Sequence, residues 1–143
     1  MKTTGFCALS LLFALSTYSA GIDRKKNPAP MYNLATEIHA IVTIVDVREV
    51  SKEAALDGVH LTVMSKNDNF DVYLGPVDFV KRFDVAFKKG DEIELTGSRV
   101  RVEGEDLVLA REVRFGQVTL ILRDKTGWPY WDSNKPPAAN PDR

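Results

Sequence analysis

Between Glu37 and Val50 the chain reads EIHAIVTIVDVREV, with apolar residues at Ile38, Ala40, Val42 and Ile44 before the pattern moves to Val45 and Val47. Side chains alternate faces along a strand, so a change of parity inside one predicts a bulge or a sharp bend. A long, bent, β-branched first strand commits the chain to a curled sheet. The residues beyond it agree. Gly58 to Ser65 and Phe70 to Leu74 form a predicted hairpin around Lys66-Asn67-Asp68-Asn69. Pairing Ser65 with Phe70 sets Val63 opposite Val72 and Leu61 opposite Leu74 on one face, with Thr62, Met64, Asp71 and Tyr73 on the other.

Gly75-Pro76 ends that strand, and Val77, Val80 and Phe83 recur at helical spacing among Asp78, Lys81 and Arg82, which predicts one short helix. Lys88 to Asp91 is a turn into a strand carrying Ile93 and Leu95. A second hairpin, Gly97–Val102 with Asp106–Arg114, turns at Glu103-Gly104-Glu105 and sets Val102 opposite Leu107 and Val100 opposite Leu109. The inward positions then shift from Ile93/Leu95 to Val100/Val102, which predicts a bulge near Gly97 or Ser98. A last strand runs from Val118 to Arg123. The expected fold is all-β with one short helix: an OB-fold-like small barrel of 5–6 strands spanning residues 34–132. An SH3-like barrel or an open meander is the competing architecture.

Residues 1–21 (MKTTGFCALSLLFALSTYSAG) have a single charge, Lys2, an apolar stretch from Phe6 to Leu15, and small residues at Ser19, Ala20 and Gly21. That is the layout of a secretory signal peptide cut near Gly21, which predicts a periplasmic or secreted protein; a retained anchor is the rival reading. Its removal takes away Cys7, the only cysteine, and leaves 18 basic against 20 acidic residues, a net charge of −2. Residues 22–33, with Pro28, Pro30 and the run Arg24-Lys25-Lys26, read as a flexible lead-in, and 133–143, with three prolines, as a disordered tail.

Several segments resemble a group of small exported bacterial OB-fold proteins. They are Tyr32 to Glu37, Leu74-Gly75-Pro76, Lys89-Gly90-Asp91, Leu95 to Val100, Ala110 to Val113, Thr119 to Asp124, and the ending Gly127-Trp128-Pro129-Tyr130-Trp131. More distantly the chain is similar to the periplasmic bacterial OB-fold family linked with stress tolerance. The resemblance covers residues 32–131 and implies fold and export without an established activity. One departure is Tyr73, where the group often has a histidine before Leu-Gly-Pro, so a role that needs an imidazole there does not carry over.

Candidate sites are few. Thr62, Met64 and Tyr73 on the outward face of strands two and three offer contacts for a protein partner or small polar ligand, and Arg99 and Arg101 offer anion anchors. Single-strand nucleic-acid binding is the alternative. It is disfavoured by one aromatic, no basic groove and a negative net charge. His39 and His60 fall far apart along the expected ladder, so no metal site is expected. No nucleophile elbow, zinc-protease helix or phosphate loop is present, so neither a catalytic residue nor a cofactor is expected. The aromatic run Trp128–Trp131 either covers an open edge of the barrel or anchors a partner.

Overall fold

The computed structural model describes residues 30–50, 56–66 and 68–135. The expected signal segment, most of the lead-in and residues 136–143 lie outside the described residues. Six strands and one short helix follow in order: β1 (Glu37–Val50), β2 (Gly58–Ser65), β3 (Asp68–Gly75), α1 (Val77–Val80), β4 (Glu92–Val102), β5 (Glu105–Phe115) and β6 (Val118–Ile121). The sheet order is β3-β2-β1-β4-β5-β6, and a parallel pairing of β3 with β5 closes the first five strands into a barrel. This is the expected OB-like barrel, with β6 added as an extra strand outside the closure.

The bend in β1 lies where the parity changes. Ile44 pairs with Val63 and Asp46 with Thr62, leaving Val45 as the extra residue of a bulge. The first half of β1 pairs with β4 and the second half with β2. One strand can therefore serve both sides of a closed barrel.

Both hairpins are tighter than expected, by two residues each. Ser65 pairs with Asp68, so Leu61 faces Val72 and Thr62 faces Asp71. Val102 pairs with Glu105, so Val100 faces Leu107. A two-residue loop needs left-handed backbone, and Lys66 (φ 56°), Glu103 (φ 51°) and Gly104 (φ 87°) supply it. A shift of two preserves parity, so on β2 and β3 every side chain keeps its expected face and only the partners change. On β4 and β5 the expectation fails: β4 has no bulge and keeps its parity past Gly97, so Val100 and Val102, with Leu107 and Leu109, lie on the outer side of the barrel rather than inward.

The second bulge is in β5 rather than at Gly97 or Ser98. Thr96 pairs with Glu112 and Gly97 with Ala110, so Arg111 is the extra residue. At this point β5 changes neighbours: residues Leu107–Leu109 pair with β3 and Glu112–Phe115 with β6. The Arg111 carbonyl accepts the amides of both Leu122 and Arg123 just beyond β6. Gly97 is required here, since a Cβ would lie 2.5 Å from the Leu109 carbonyl oxygen.

Inside the barrel lies an aliphatic core that includes Val42, Ile44, Leu61, Val63, Val72, Leu74, Ile93, Leu95, Val113 and Leu120. Phe79, Phe83, Val85 and Phe87, from α1 and the segment after it, pack against it. A second, smaller cluster of Leu56, Tyr73, Leu107 and Leu109 packs with Tyr32, Val100, Val102 and Trp131. On β3 and β5 its members alternate with residues of the interior core, so the cluster occupies the outer side of the same strands.

Candidate functional site

The outer cluster exists because both ends of the described chain fold over it. Tyr32 lies against Gly127, where a Cβ would come within 2.3 Å of the ring. Trp131 lies on Gly75, edge-on to Tyr73 at 6.2 Å and against Phe79 at 5.1 Å. The strap is pinned by backbone hydrogen bonds from Tyr130 to Leu122 and from Asp124 to Trp128. The Asp124 carboxylate accepts the amides of Thr126 and Trp128 and pairs with Lys135. The Lys135 ammonium and the Thr126 donors hold that carboxyl well below the usual range. Of the aromatic run, Trp131 covers the barrel, whereas Tyr130 remains 59% exposed.

Charge is built into this cover. Arg123 is only 6% exposed; its Nε donates to the Ala110 carbonyl and its Nη1 to the Gly127 carbonyl, both at 3.2 Å. Its guanidinium stacks 4.9 Å from the Trp131 ring centroid and 5.8 Å from that of Tyr32. No carboxylate among the described residues lies within 4 Å of it, and burial pulls its pKa down. Beside it, Arg111 grips Glu37 with two parallel bonds of 2.9 Å, and the Tyr32 hydroxyl donates to the same carboxylate. Arg111 holds the Glu37 carboxyl below its ordinary pKa, while burial and Glu37 together push the Tyr32 phenol up.

The five residues singled out from the sequence do not assemble into one surface. Tyr73 is 4% exposed rather than open to solvent: its hydroxyl donates to the Asp57 carbonyl at 3.0 Å and its ring lies 5.1 Å from His60. Burial pushes the Tyr73 phenol up to about 12. Thr62 is half-buried and donates to Asp71, which also pairs with Arg48. Met64 stands 42% exposed on β2.

Arg99 and Arg101 are exposed and line a depression of about 310 Å³ at the hairpin tips, with Asp68, Asn69, Phe70, Glu105 and Asp106. Arg99 lies over the Phe70 ring at 5.5 Å, and Arg101 Nε donates to the Gly104 carbonyl at 3.2 Å. A second depression, of about 490 Å³, lies where β1 meets β2 and β3 leads into α1. His39 lies on the β1–β4 ladder and His60 on the β1–β2 ladder. Among the described residues no group of three or more His, Cys, Asp or Glu could hold a metal ion, and no helix is long and apolar enough to cross a membrane.

The sequence reading missed Arg123, Arg111 and Glu37. Arg123 ends the β-branched run Val118–Leu122 just before a turn, where a charge reads as a solvated strand end. Only the density of large aromatic rings nearby, at Tyr32, Trp128 and Trp131, signalled that something there needed covering.

The model of the MamS/MamX magnetosome protein family matches residues 42–120, more than half of the 143 residues. The chain belongs to this family. The match runs from the middle of β1 into β6 and takes in all of β2 to β5. Tyr32, Arg123 and Trp131 fall outside it. The small barrel implied by the resemblance to exported OB-fold proteins is present, while the membership established is in the MamS/MamX family. Neither the curated proteins nor the solved structures contain a significant match.

Proposed function

We propose that this MamS/MamX-family chain is an exported, non-enzymatic binding module of the bacterial envelope, serving at the magnetosome. In this reading it holds a protein partner, or a small polar or anionic ligand, at the tips of its two hairpins. The observation that carries it is the depression bearing exposed Arg99 and Arg101 beside Asp68, Glu105 and Asp106. Adjacent charges of both signs suit a polar protein surface better than a uniformly anionic strand.

Two further observations support the reading. The interior is filled by aliphatic side chains, which leaves the surface as the working part. Among the described residues, the titratable groups with shifted pKa values, namely Tyr32, Glu37, Tyr73, Arg111, Arg123 and Asp124, line neither depression. Catalytic acids and bases are usually shifted and placed within a cleft. Export is supported by residues 1–21 and by the likeness to exported OB-fold proteins, and the magnetosome by the family's name.

The test is cross-linking of the tagged protein in its native envelope, with and without Arg99→Glu/Arg101→Glu. Reversing two interface charges is expected to cut the partner yield about tenfold or more while the melting temperature stays unchanged. An unchanged yield overturns the surface. Binding to single-stranded DNA that falls steeply with added salt would favour the nucleic-acid reading instead.

A further inference from the structure

The second depression differs in character from the one at the hairpin tips. Among the described residues its apolar lining is Val50, Pro76 and Val77, and its charged lining is Glu49, Asp57 and Asp78, all acidic. None of these three carboxylates lies within 4 Å of a Lys, Arg or His nitrogen among the described residues. Closely packed backbone borders the pocket at Gly58. Gly58 and Gly75 cross so closely that a Cβ on Gly58 would sit 2.1 Å from the Gly75 carbonyl oxygen, and both have positive φ. Asp57 is anchored through its carbonyl by the Tyr73 hydroxyl, and its carboxylate takes no part in that bond.

The geometry points to the basic run Arg24-Lys25-Lys26 of this same chain as the occupant of this acidic, apolar-floored groove. Charge complementarity and reach both favour it. Tyr32 packs in the same cluster as Leu56, and the next residue, Asp57, is part of the groove wall. The basic run lies six to eight residues before Tyr32. An extended chain covers at most ~3.6 Å per residue, so the run reaches about 20–29 Å from that anchor. A tether this short keeps the local concentration of the arm in the millimolar range, so weak attraction fills the groove. Alkyl stems of Lys and Arg suit Val50, Pro76 and Val77, while the charged heads meet the carboxylates.

Zero-length carbodiimide cross-linking of the full chain, in the form recovered from cells, tests this. Lys25 and Lys26 are expected to link to Glu49, Asp57 or Asp78 within the monomer. The yield should fall about threefold or more when salt is raised to roughly 0.5 M, because the Debye length shrinks to a few ångströms. Asp57→Asn/Asp78→Asn, which preserves the Asp57 carbonyl, should abolish most of the links. Links from Lys25 and Lys26 spread evenly over other carboxylates, links confined to a dimer, or Lys52 in their place would each overturn the assignment. As a second readout, Arg24→Ser/Lys25→Ser/Lys26→Ser should shift the NMR amide signals of Asp57, Gly58 and Val77 and leave those of the hairpin tips unmoved; unmoved groove signals would also overturn it. Neither readout depends on the partner surface at Arg99 and Arg101.

Discussion

The two apolar clusters of this molecule are built on opposite plans. The fully buried members of the barrel interior are aliphatic, drawn mostly from strands, and enclose no charged side chain among the described residues. The outer cluster mixes aliphatic residues with Tyr32, Tyr73 and Trp131, depends on the two ends of the described chain, and sets the Arg123 guanidinium against two of those rings. Burial of aliphatic surface needs only period-two alternation, since each methylene removed from water contributes about 0.8 kcal/mol wherever it comes to rest. The cover needs partners of defined shape. Arg123 satisfies two carbonyls and stacks on two rings, and Glu37 is gripped on both oxygens. The first plan tolerates exchange among aliphatic residues of similar volume, whereas the second ties specific distant residues together.

The comparison can be broken from either side. The largest effect is expected inside: Leu95→Ala removes a fully buried side chain and should cost about 2–5 kcal/mol, read as a lower midpoint in chemical denaturation. Trp131→Ala should cost less, about 1–3 kcal/mol, because the ring is only partly buried. It should also raise protease sensitivity around residues 128–135 before the barrel itself unfolds; a single cooperative loss would merge the two clusters into one unit.

Arg123→Ala should cost about 1–3 kcal/mol through the two orphaned carbonyls and the lost stacking. Arg123→Met should cost less, because a buried cation without a carboxylate is costly to keep. Glu37 gives a smaller, pH-dependent effect. Its folded pKa lies below its unfolded value, so its contribution is present above the ordinary carboxylate range near 4.5 and is lost as pH falls through the lower, folded value. Glu37→Gln should flatten that part of the acid limb of a stability–pH curve. Met64→Ala, on the exposed face of β2, should change stability by no more than about 0.5 kcal/mol.

The same contrast explains what could be read from residues alone. The bulge at Val45, the strand order and the short helix follow from alternation and its interruptions. The interior core follows on β1 to β3 and at Ile93 and Leu95, but not beyond Gly97: the bulge is in β5 rather than β4, so Val108 and Ala110 face inward and Val100, Val102, Leu107 and Leu109 face out. The hairpin partners do not follow, since Asp68 and Asn69 are polar and exposed at the start of β3 and look like loop. Nothing in Lys66 announces a left-handed backbone. Tyr73 shows the deeper difficulty. Parity puts it on the outward face correctly, but outward means exposed only if nothing lies above it. What lies above it is Trp131, some sixty residues further along the chain, and no local pattern links the two.

Because Tyr32 rests on Gly127, and Tyr32 and Trp131 flank the same Arg123 guanidinium, the chain enters and leaves the barrel at neighbouring points. Joining those points with a short linker and opening the loop at Glu103-Gly104 should yield a circular permutant that still folds. It also means that anything fused before residue 30 or after residue 135 hangs from one side of the domain, as a pendant hangs from a single clasp.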